Sequence, residues 1–219
     1  MSVEIALRSA HVRYGPLEAL HGLDLPVPAA TVTVLVGRNG SGRTTALRAL
    51  AGTVPLTSGT VLWRGADVTR LHAHDRARRG LCFVPDLRAA YATLTVAENL
   101  DLSPGDPARA LAAYPELAPL LARPAGTLSG GERRMLALSR ALLTPARVVL
   151  VDEPSLGMSP AVSSRTYRLL AALARPGGAA VVLAEQRPPP GLPPGTLLHG
   201  LRRGSLAFSG EAAEFTAGR

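Results

Sequence analysis

The sequence contains no lysine, so all 24 residues counted as lysine plus arginine are arginine. This absence excludes a GTPase that recognises guanine through an Asn-Lys-x-Asp motif. It also makes arginine at any single basic site less unusual in this chain, although the two side chains differ in shape and hydrogen-bond geometry. The net charge of +8 is spread along the chain without a dense basic run or interleaved aromatic residues. A nucleic-acid partner is therefore not expected.

Paired cysteines and long apolar runs are also missing. Cys82 has no second cysteine to pair with, and its apolar neighbours Leu81 and Phe83 favour a buried structural thiol. No run approaches the roughly 20 apolar residues that span a bilayer, and the first 15 residues lack a secretory apolar core. We therefore expect a cytoplasmic protein. With 219 residues, 47% of them hydrophobic and 18% charged, the composition predicts one globular domain.

Apolar patterns predict strands alternating with helices. "VEIAL" and "LDLPV" are typical of short strands, and residues 31–36 of a buried strand. A helix follows over residues 43–51, short helices broken by prolines occupy residues 86–127, and a longer helix begins after residue 129. "ARVVLVD" and "AAVVLAE" are further strands. This order predicts an α/β fold with a mainly parallel sheet, an N-terminal antiparallel β part and a small α-helical insertion.

The glycine-rich stretch "GRNGSGRTT", residues 37–45, lies between a predicted strand and a predicted helix. It fits the phosphate-loop pattern except that Arg43 stands at the lysine position. Its backbone N–H groups can surround a polyphosphate at a helix N-terminus, and the Thr44 hydroxyl can hold Mg²⁺. Taken alone, the stretch fits a structural glycine-rich turn equally well. The candidate ligand-binding residues of this loop are Gly37, Asn39, Gly40, Ser41, Gly42, Arg43, Thr44 and Thr45.

Two carboxylates, Asp152 and Glu153, follow the apolar strand "VVLV". At a strand tip, Asp152 can bind Mg²⁺ directly, or it can hydrogen-bond to the groups that bind Mg²⁺. Glu153 can polarise an attacking water as a general base. The alternative is that both acids only cap the turn before Pro154.

A third motif, "LSGGE", spans residues 128–132 and opens a helix, which gives the chain a second anion-binding helix end. A phosphate loop, this pentapeptide and "DEP" in that order resemble the ATP-binding-cassette (ABC) ATPases, and the resemblance covers nearly the whole chain. It implies a P-loop NTPase fold that binds ATP and Mg²⁺. It also implies a dimer, in which the signature residues of one subunit close over the ATP of the other. Those residues are Ser129, Gly130, Gly131 and Glu132.

Shorter stretches are similar to the ATP-binding subunits of bacterial branched-chain amino-acid uptake systems: "YGPLEALHGLDL", "FVPD", "YPEL", "DEPSLG" and "LAEQ". The resemblance implies that Tyr14 stacks on adenine, although a tyrosine near a strand end is often only packed. It further implies a second ATPase subunit, transmembrane permease subunits, an indirectly linked solute-binding protein and a position on the inner face of the cell membrane. Residues 1–219 form one ABC domain in this interpretation, with a core of 1–85 and 129–219 and a helical subdomain of 86–128.

The sequence departs from this family at several positions. Arg43 replaces the lysine that contacts the β- and γ-phosphates, and Asp86 stands where the family usually has glutamine. A carboxylate at Asp86 can still bind Mg²⁺, beside Thr44 and Asp152, but adds negative charge near the phosphates. Gln186 replaces the switch histidine, and the proline-rich residues 187–195 replace a helix.

Three hypotheses follow. The first is a transport ATPase subunit in which Arg43, Asp152 and Glu153 are catalytic and Gln186 contacts the nucleotide. The second is a degenerate subunit with slow or no turnover at its own loop, which completes a partner's active site through "LSGGE". The third, an ATPase acting on nucleic acid, has the weakest support.

Overall fold

The computed structural model describes residues 2–86 and 89–215, and within them ten strands form two sheets flanked by six α-helices. The strands are β1 (Val3–Tyr14), β2 (Leu17–Pro28), β3 (Val32–Val36), β4 (Ser58–Trp63), β5 (Ala66–Asp67), β6 (Leu81–Val84), β7 (Val148–Asp152), β8 (Ala180–Glu185), β9 (Leu197–Arg202) and β10 (Ser205–Glu211). The helices are α1 (Arg43–Ala51), α2 (Ala73–Arg78), α3 (Val96–Asp101), α4 (Pro107–Ala113), α5 (Gly130–Leu143) and α6 (Pro160–Leu173).

The larger sheet has the strand order β10-β9-β3-β8-β7-β6, and every pair is parallel except β10 with β9. Strands β3, β7 and β8 are buried along their whole length. This agrees with their unbroken apolar sequences, because a parallel sheet is covered on both faces. The carboxyl ends of β3, β6, β7 and β8 therefore meet at one edge, where the motif-bearing loops follow.

The smaller sheet is antiparallel, in the order β2-β1-β4-β5. Strands β1 and β2 are each 12 residues long and form a hairpin in which Tyr14 pairs with Leu17. Helix α1 contributes Leu47 and Leu50 to a core that also contains residues of both sheets, among them Leu25 and Val182. Burial between the two sheets thus holds α1, and the loop that precedes it, at the edge of the parallel sheet.

The second core covers the opposite face of the larger sheet. Leu136 and Leu138 of α5 and Leu170 of α6 pack there with Val149 and Val181 of the sheet. The short helices contribute Val96, Leu100, Tyr114 and Leu117 to the same cluster. The apolar face of α5 therefore fixes the position of its N-terminal turn, which carries "LSGGE".

Short elements fill the segment between β6 and α5: α3, α4 and 3₁₀ turns at Pro115–Leu120 and Ala125–Thr127. Thr95 and Glu98 form a capping box at the start of α3, and Asp106 caps α4. Buried Asn99 donates to the carbonyls of Tyr91, Leu94 and Thr95 and accepts from the Tyr91 N–H. Local hydrogen bonds thus organise a segment too short and proline-rich for long helices.

The predicted fold class is confirmed: the sheet is mainly parallel, with an antiparallel N-terminal part and a helical insertion. Strands β1 and β2 are longer than the predicted short runs, because pairing in a long hairpin extends them past their most apolar residues. Elements α2 and β5 were not predicted, since both are short and polar. Residues 187–195 contain no helix, as expected.

Cys82 is half-buried, and burial raises the pKa of its thiol to about 11. It is therefore a packed thiol and not a reactive one. None of the helices in the described ranges combines the length and apolar character needed to cross a membrane.

Candidate functional site

A cavity of about 820 Å³ opens at the carboxyl edge of the parallel sheet. Eleven of the residues singled out from the sequence line it: Tyr14, Asn39, Gly40, Ser41, Gly42, Arg43, Thr44, Thr45, Asp86, Glu153 and Gln186. The sequence did not point to the remaining lining residues, which are Pro16, Leu17, Glu18, Ala19, His21 and Arg203. The fold thus gathers the tips of β3, β6, β7 and β8 and the β1–β2 hairpin around one space.

The glycine loop wraps closely around the start of α1. A Cβ atom on Gly37 would lie 2.5 Å from the Leu201 carbonyl oxygen, and one on Gly42, which has φ +103°, would lie 3.0 Å from the Ala19 carbonyl oxygen. Gly40, at φ +77°, has open space where a side chain would stand. Gly42 also precedes the helix without a side chain to cap it. The first N–H groups of α1 are therefore left to an anion in the cavity.

Arg43 is only 5% exposed and points across the cavity floor to Glu153. Its Nη2 donates to Glu153 Oε1 at 3.2 Å, while its buried Nη1 has no hydrogen-bond partner among the described residues. Glu153 adopts a left-handed backbone conformation with φ +48°, which non-glycine residues rarely take. A buried cation with one free amino group thus stands beside a carboxylate held in a strained turn.

Asp152 is fully buried and does not line the cavity, but Thr44, Asp86, Arg43 and Glu153, which act on its carboxyl group, do. Both of its carboxylate oxygens lack a hydrogen-bond partner within residues 2–86 and 89–215. Burial raises the pKa of this carboxyl, and the charges of Asp86 and Glu153 raise it further, while Thr44 and Arg43 oppose the rise. A buried carboxyl without a hydrogen-bond partner is stabilised either by protonation or by a bound cation.

The donor set fits Mg²⁺. The described residues contain no cluster of three or more His, Cys, Asp or Glu that could hold a metal alone. Mg²⁺ is usually held by one or two carboxylates together with substrate phosphates and water. Asp152, the Thr44 hydroxyl and Asp86 supply such a partial set. The Oδ1 atom of Asp86 also lies 3.8 Å from Nη2 of Arg48 in α1, and this cation offsets part of the negative charge of Asp86.

The Arg203–Gly204 turn between β9 and β10 secures the glycine loop from outside. The Gly204 N–H donates to Ser41 O at 2.9 Å, and the His21 N–H donates to Gly204 O at 3.0 Å. A Cβ on Gly204 would lie 2.5 Å from Ala19 O, so this contact requires glycine. Nothing in the local sequence shows that this turn folds back onto the loop and brings Arg203 to the cavity.

The family model for the ABC transporter matches residues 20–156, which is more than half of the chain. The chain belongs to the ABC transporter family. The match includes the glycine loop, "LSGGE" and "DEP", which the resemblance from sequence rested on.

The ABC relatives include transport proteins for more than one solute. The Archaeoglobus fulgidus protein described as the probable branched-chain amino acid transport ATP-binding protein LivF is 34% identical over 92% of this chain and 89% of its own length. The Pseudomonas aeruginosa high-affinity branched-chain amino acid transport ATP-binding protein BraG is 33% identical over 79% of this chain and 78% of its own. The Escherichia coli sulfate/thiosulfate import ATP-binding protein CysA is 34% identical over 70% of this chain but only 45% of its own. The resemblance to branched-chain amino-acid transport subunits is confirmed, and these matches do not support the hypothesis of a degenerate subunit.

Solved ABC structures share the fold. An ATP-binding cassette of an ABC transporter has a TM-score of 0.80 and 22% identity, and covers 96% of this chain and 92% of its own. The dimeric structure of a bacterial ABC transporter cassette has a TM-score of 0.82 and 21% identity, over 96% of this chain and 100% of its own. At these identities the likeness concerns the fold alone.

The ABC signature lies outside the cavity. Ser129 caps α5, with its Oγ accepting the Glu132 N–H at 3.2 Å, and Glu132 accepts the Ser129 N–H at 2.7 Å. Ser129 and Gly130 are on the surface side of this turn, and a Cβ on Gly130 would meet nothing within 4 Å among the described residues. Gly131 packs so closely on the loop after Glu153 that a Cβ there would lie 2.5 Å from Gly157 O. The helix end therefore faces solvent while its second residue is locked to the chain's own "DEPSLG" loop.

Glu185, at the end of β8, fixes that loop from the other side. It accepts hydrogen bonds from the Ser155 hydroxyl at 3.0 Å and the Tyr167 hydroxyl at 2.5 Å. Burial and the contact with Glu185 raise the pKa of Tyr167, which keeps its hydroxyl protonated as the donor. Sequence analysis missed this group, because "LAEQ" gives no sign that its glutamate faces a serine 30 residues earlier.

Proposed function

We propose that this chain binds MgATP in the cavity and hydrolyses it to power an ABC importer. The observation that carries the proposal is the convergence at one cavity of an uncapped helix N-terminus, the Arg43–Glu153 pair and a buried Asp152 without partners among the described residues. Phosphoryl transfer requires an anion site, a positioned base and a metal ligand. The helix N-terminus, Glu153 and Asp152 can supply these in turn.

The nucleotide is bound mainly by backbone. The N–H groups of residues 39, 40 and 42–44 surround the phosphates at the start of α1, while the Ser41 N–H donates to the Arg38 carbonyl within the loop. The half-exposed Tyr14, 41% accessible at the cavity rim, offers a ring face to adenine. The free Nη1 of Arg43 is available to a phosphate oxygen. Thr44, Asp152 and Asp86 would hold Mg²⁺, which would neutralise negative charge on the phosphates of ATP.

Glu153 acts as the general base for the attacking water, and Gln186 lines the same cavity. The Oε1 atom of Glu153 accepts from Arg43 Nη2 at 3.2 Å, too close for a water to stand between them. The γ-phosphate can accept from the free Nη1 of the same guanidinium, since charge-assisted hydrogen bonds to phosphate are strong. The other carboxylate oxygen of Glu153, Oε2, is left to take the proton from water.

The assembly we propose is a dimer of ABC subunits on the inner, cytoplasmic face of the cell membrane. The exposed helix end at Ser129 and Gly130, with Gly131 and Glu132, would close over the nucleotide of the second subunit. Transmembrane permease subunits and a solute-binding protein complete the importer. Branched-chain amino acids are the proposed solutes, because the two relatives named for their transport match along most of their own length.

The direct test compares the purified wild-type chain with Glu153→Gln. Wild type should release phosphate from MgATP, and Glu153→Gln should lower turnover by roughly 10²-fold or more, the usual contribution of a general base. Both should bind ATP, measured by fluorescence of a labelled nucleotide. With MgATP, Glu153→Gln should elute as a dimer in size-exclusion chromatography. Phosphate release that is equal in the two proteins would overturn the assignment of Glu153.

A further inference from the structure

Arg134 is a buried arginine of the signature helix that no motif accounts for. It lies on the second turn of α5, four residues after Gly130, and is 4% exposed. Its Nη1 donates to the Pro85 carbonyl at 2.5 Å, and its Nη2 donates to the Asp152 carbonyl. One side chain thus joins α5 to the ends of two neighbouring strands.

The two carbonyls lie just beyond the point where β6 and β7 stop pairing. Strands β6 and β7 pair as far as Val84 and Val151. Pro85 and Asp152 each lie one residue beyond that last pair, so a backbone ladder no longer fixes their separation. Arg134 bridges them there with a planar guanidinium whose donors point in fixed directions.

Each of these two carbonyls immediately precedes a proposed site residue in the chain. Pro85 precedes Asp86, and Asp152 precedes Glu153. Burial lowers the pKa of Arg134, while the charges of Asp152, Asp86, Glu185 and Glu153 oppose that change. The guanidinium therefore stands amid the carboxylates of the site without lining the cavity itself.

Arg76 provides the comparison within the same chain. It is also buried, at 2% exposure, and donates to the carbonyls of Ala49, Leu50 and Val68 at 2.7–2.9 Å. The first two acceptors lie at the far end of α1, away from the cavity. Arg76 thus serves as a buried arginine that stabilises the fold without contacting the ends of the site-bearing strands.

We propose that Arg134 is a positioning residue for ATP hydrolysis. It sets the distance between Asp86 and the Asp152–Glu153 pair, and it ties both to the helix that carries the signature. The inference rests on the proposed function, because it assigns Arg134 to the same site. It concerns a residue that neither binds nucleotide nor lines the cavity.

The experiment compares Arg134→Gln, Arg134→Lys and the control Arg76→Gln with wild type. Nucleotide affinity is measured with a fluorescent ATP analogue in EDTA and in excess Mg²⁺, and kcat and KM are measured well below each unfolding temperature. Arg134→Gln should keep its affinity in EDTA within about twofold and lose most of the gain in affinity caused by Mg²⁺. Its kcat should fall at least ~10-fold, since misplacing catalytic groups by about 1 Å can cost ~100-fold. Its KM for MgATP should rise by about the same factor as the affinity that is lost in Mg²⁺. Arg134→Lys should recover part of both losses, because an ammonium can still donate to one or both carbonyls.

Arg76→Gln should lower the unfolding temperature but leave the effect of Mg²⁺ and kcat within about twofold of wild type. The proposal is wrong if Arg134→Gln changes the Mg²⁺ effect and kcat no more than Arg76→Gln does. It is also wrong if affinity in EDTA falls as much as affinity in Mg²⁺. Should Arg134→Gln fail to fold, Arg134→Lys decides by the same criteria. If wild type binds ATP without hydrolysing it, the proposed function fails, and the Mg²⁺ effect on binding still tests Arg134.

Discussion

At the scale of single residues, this site differs from the usual phosphate-loop pattern at Arg43. Arg43 occupies the lysine position of the phosphate loop. Besides facing the proposed phosphate site, its guanidinium donates to Glu153 Oε1 at 3.2 Å. A guanidinium is planar and has several donors in a fixed fork, so it can hold a carboxylate with one amino group and leave the other free. The substitution therefore connects the proposed phosphate ligand directly to the proposed base.

We predict that Arg43→Lys raises turnover. A compact ammonium keeps the charge but makes no planar fork, so Glu153 is released more readily. We expect kcat to rise roughly 3- to 10-fold, within the range that small changes in positioning produce. Phosphate release at saturating MgATP measures it.

The control is Arg43→Met, which removes the charge and should weaken ATP binding. An unchanged or lower kcat in Arg43→Lys would mean that the rest of the site has adapted to arginine.

At the scale of elements, the signature helix and the loop after Glu153 are in direct backbone contact. Gly131 of α5 approaches Gly157 so closely that a Cβ would lie 2.5 Å from the Gly157 carbonyl. At the neighbouring Gly130, a Cβ would meet nothing within 4 Å in the described part of the chain. Two adjacent glycines of one motif thus have different physical reasons for lacking a side chain.

We predict opposite effects of alanine at these two positions on stability. Gly131→Ala should lower the free energy of unfolding by about 1–3 kcal/mol, because overpacking pushes α5 from the loop. Gly130→Ala should leave it unchanged or raise it by up to about 1 kcal/mol, because alanine restricts the unfolded chain. Urea unfolding of the monomer without nucleotide measures both. Equal effects of the two substitutions would show that the Gly131–Gly157 contact carries no strain.

At this scale, the sequence predicts those elements and loops that depend on a short local motif or a periodic apolar pattern. The glycine loop between β3 and α1, the buried strand before Asp152 and the helix after Ser129 all follow from short local patterns. Arg134, Glu185 and Arg203 were missed, because each acts through a contact far along the chain: Arg134 with Pro85, Glu185 with Ser155 and Arg203 through the fold of its turn. Nothing in "GERRM" distinguishes the buried second arginine from the exposed first.

At the scale of the whole molecule, the core carries an ionisable group that makes folding depend on pH. His199 of β9 is 2% exposed, within the larger sheet. Burial lowers its pKa below the ordinary value of 6.5, and the Pro26 carbonyl only partly opposes this. Between the lowered pKa and 6.5, the unfolded chain therefore binds more protons at this residue than the folded chain does.

The contribution of His199 to stability must then fall as pH drops through this window, because protons favour the state that binds more of them. We predict that the free energy of unfolding of wild type decreases as pH is lowered from about 7 to below about 6.5. In His199→Leu the decrease should be smaller over the same range, since the buried side chain no longer titrates. Urea unfolding at several pH values measures the slope, with His74→Leu as the control, because the His74 side chain is 64% exposed. If His199→Leu and wild type kept the same slope while His74→Leu changed it, the acid sensitivity of the fold would arise at the surface and not in the sheet.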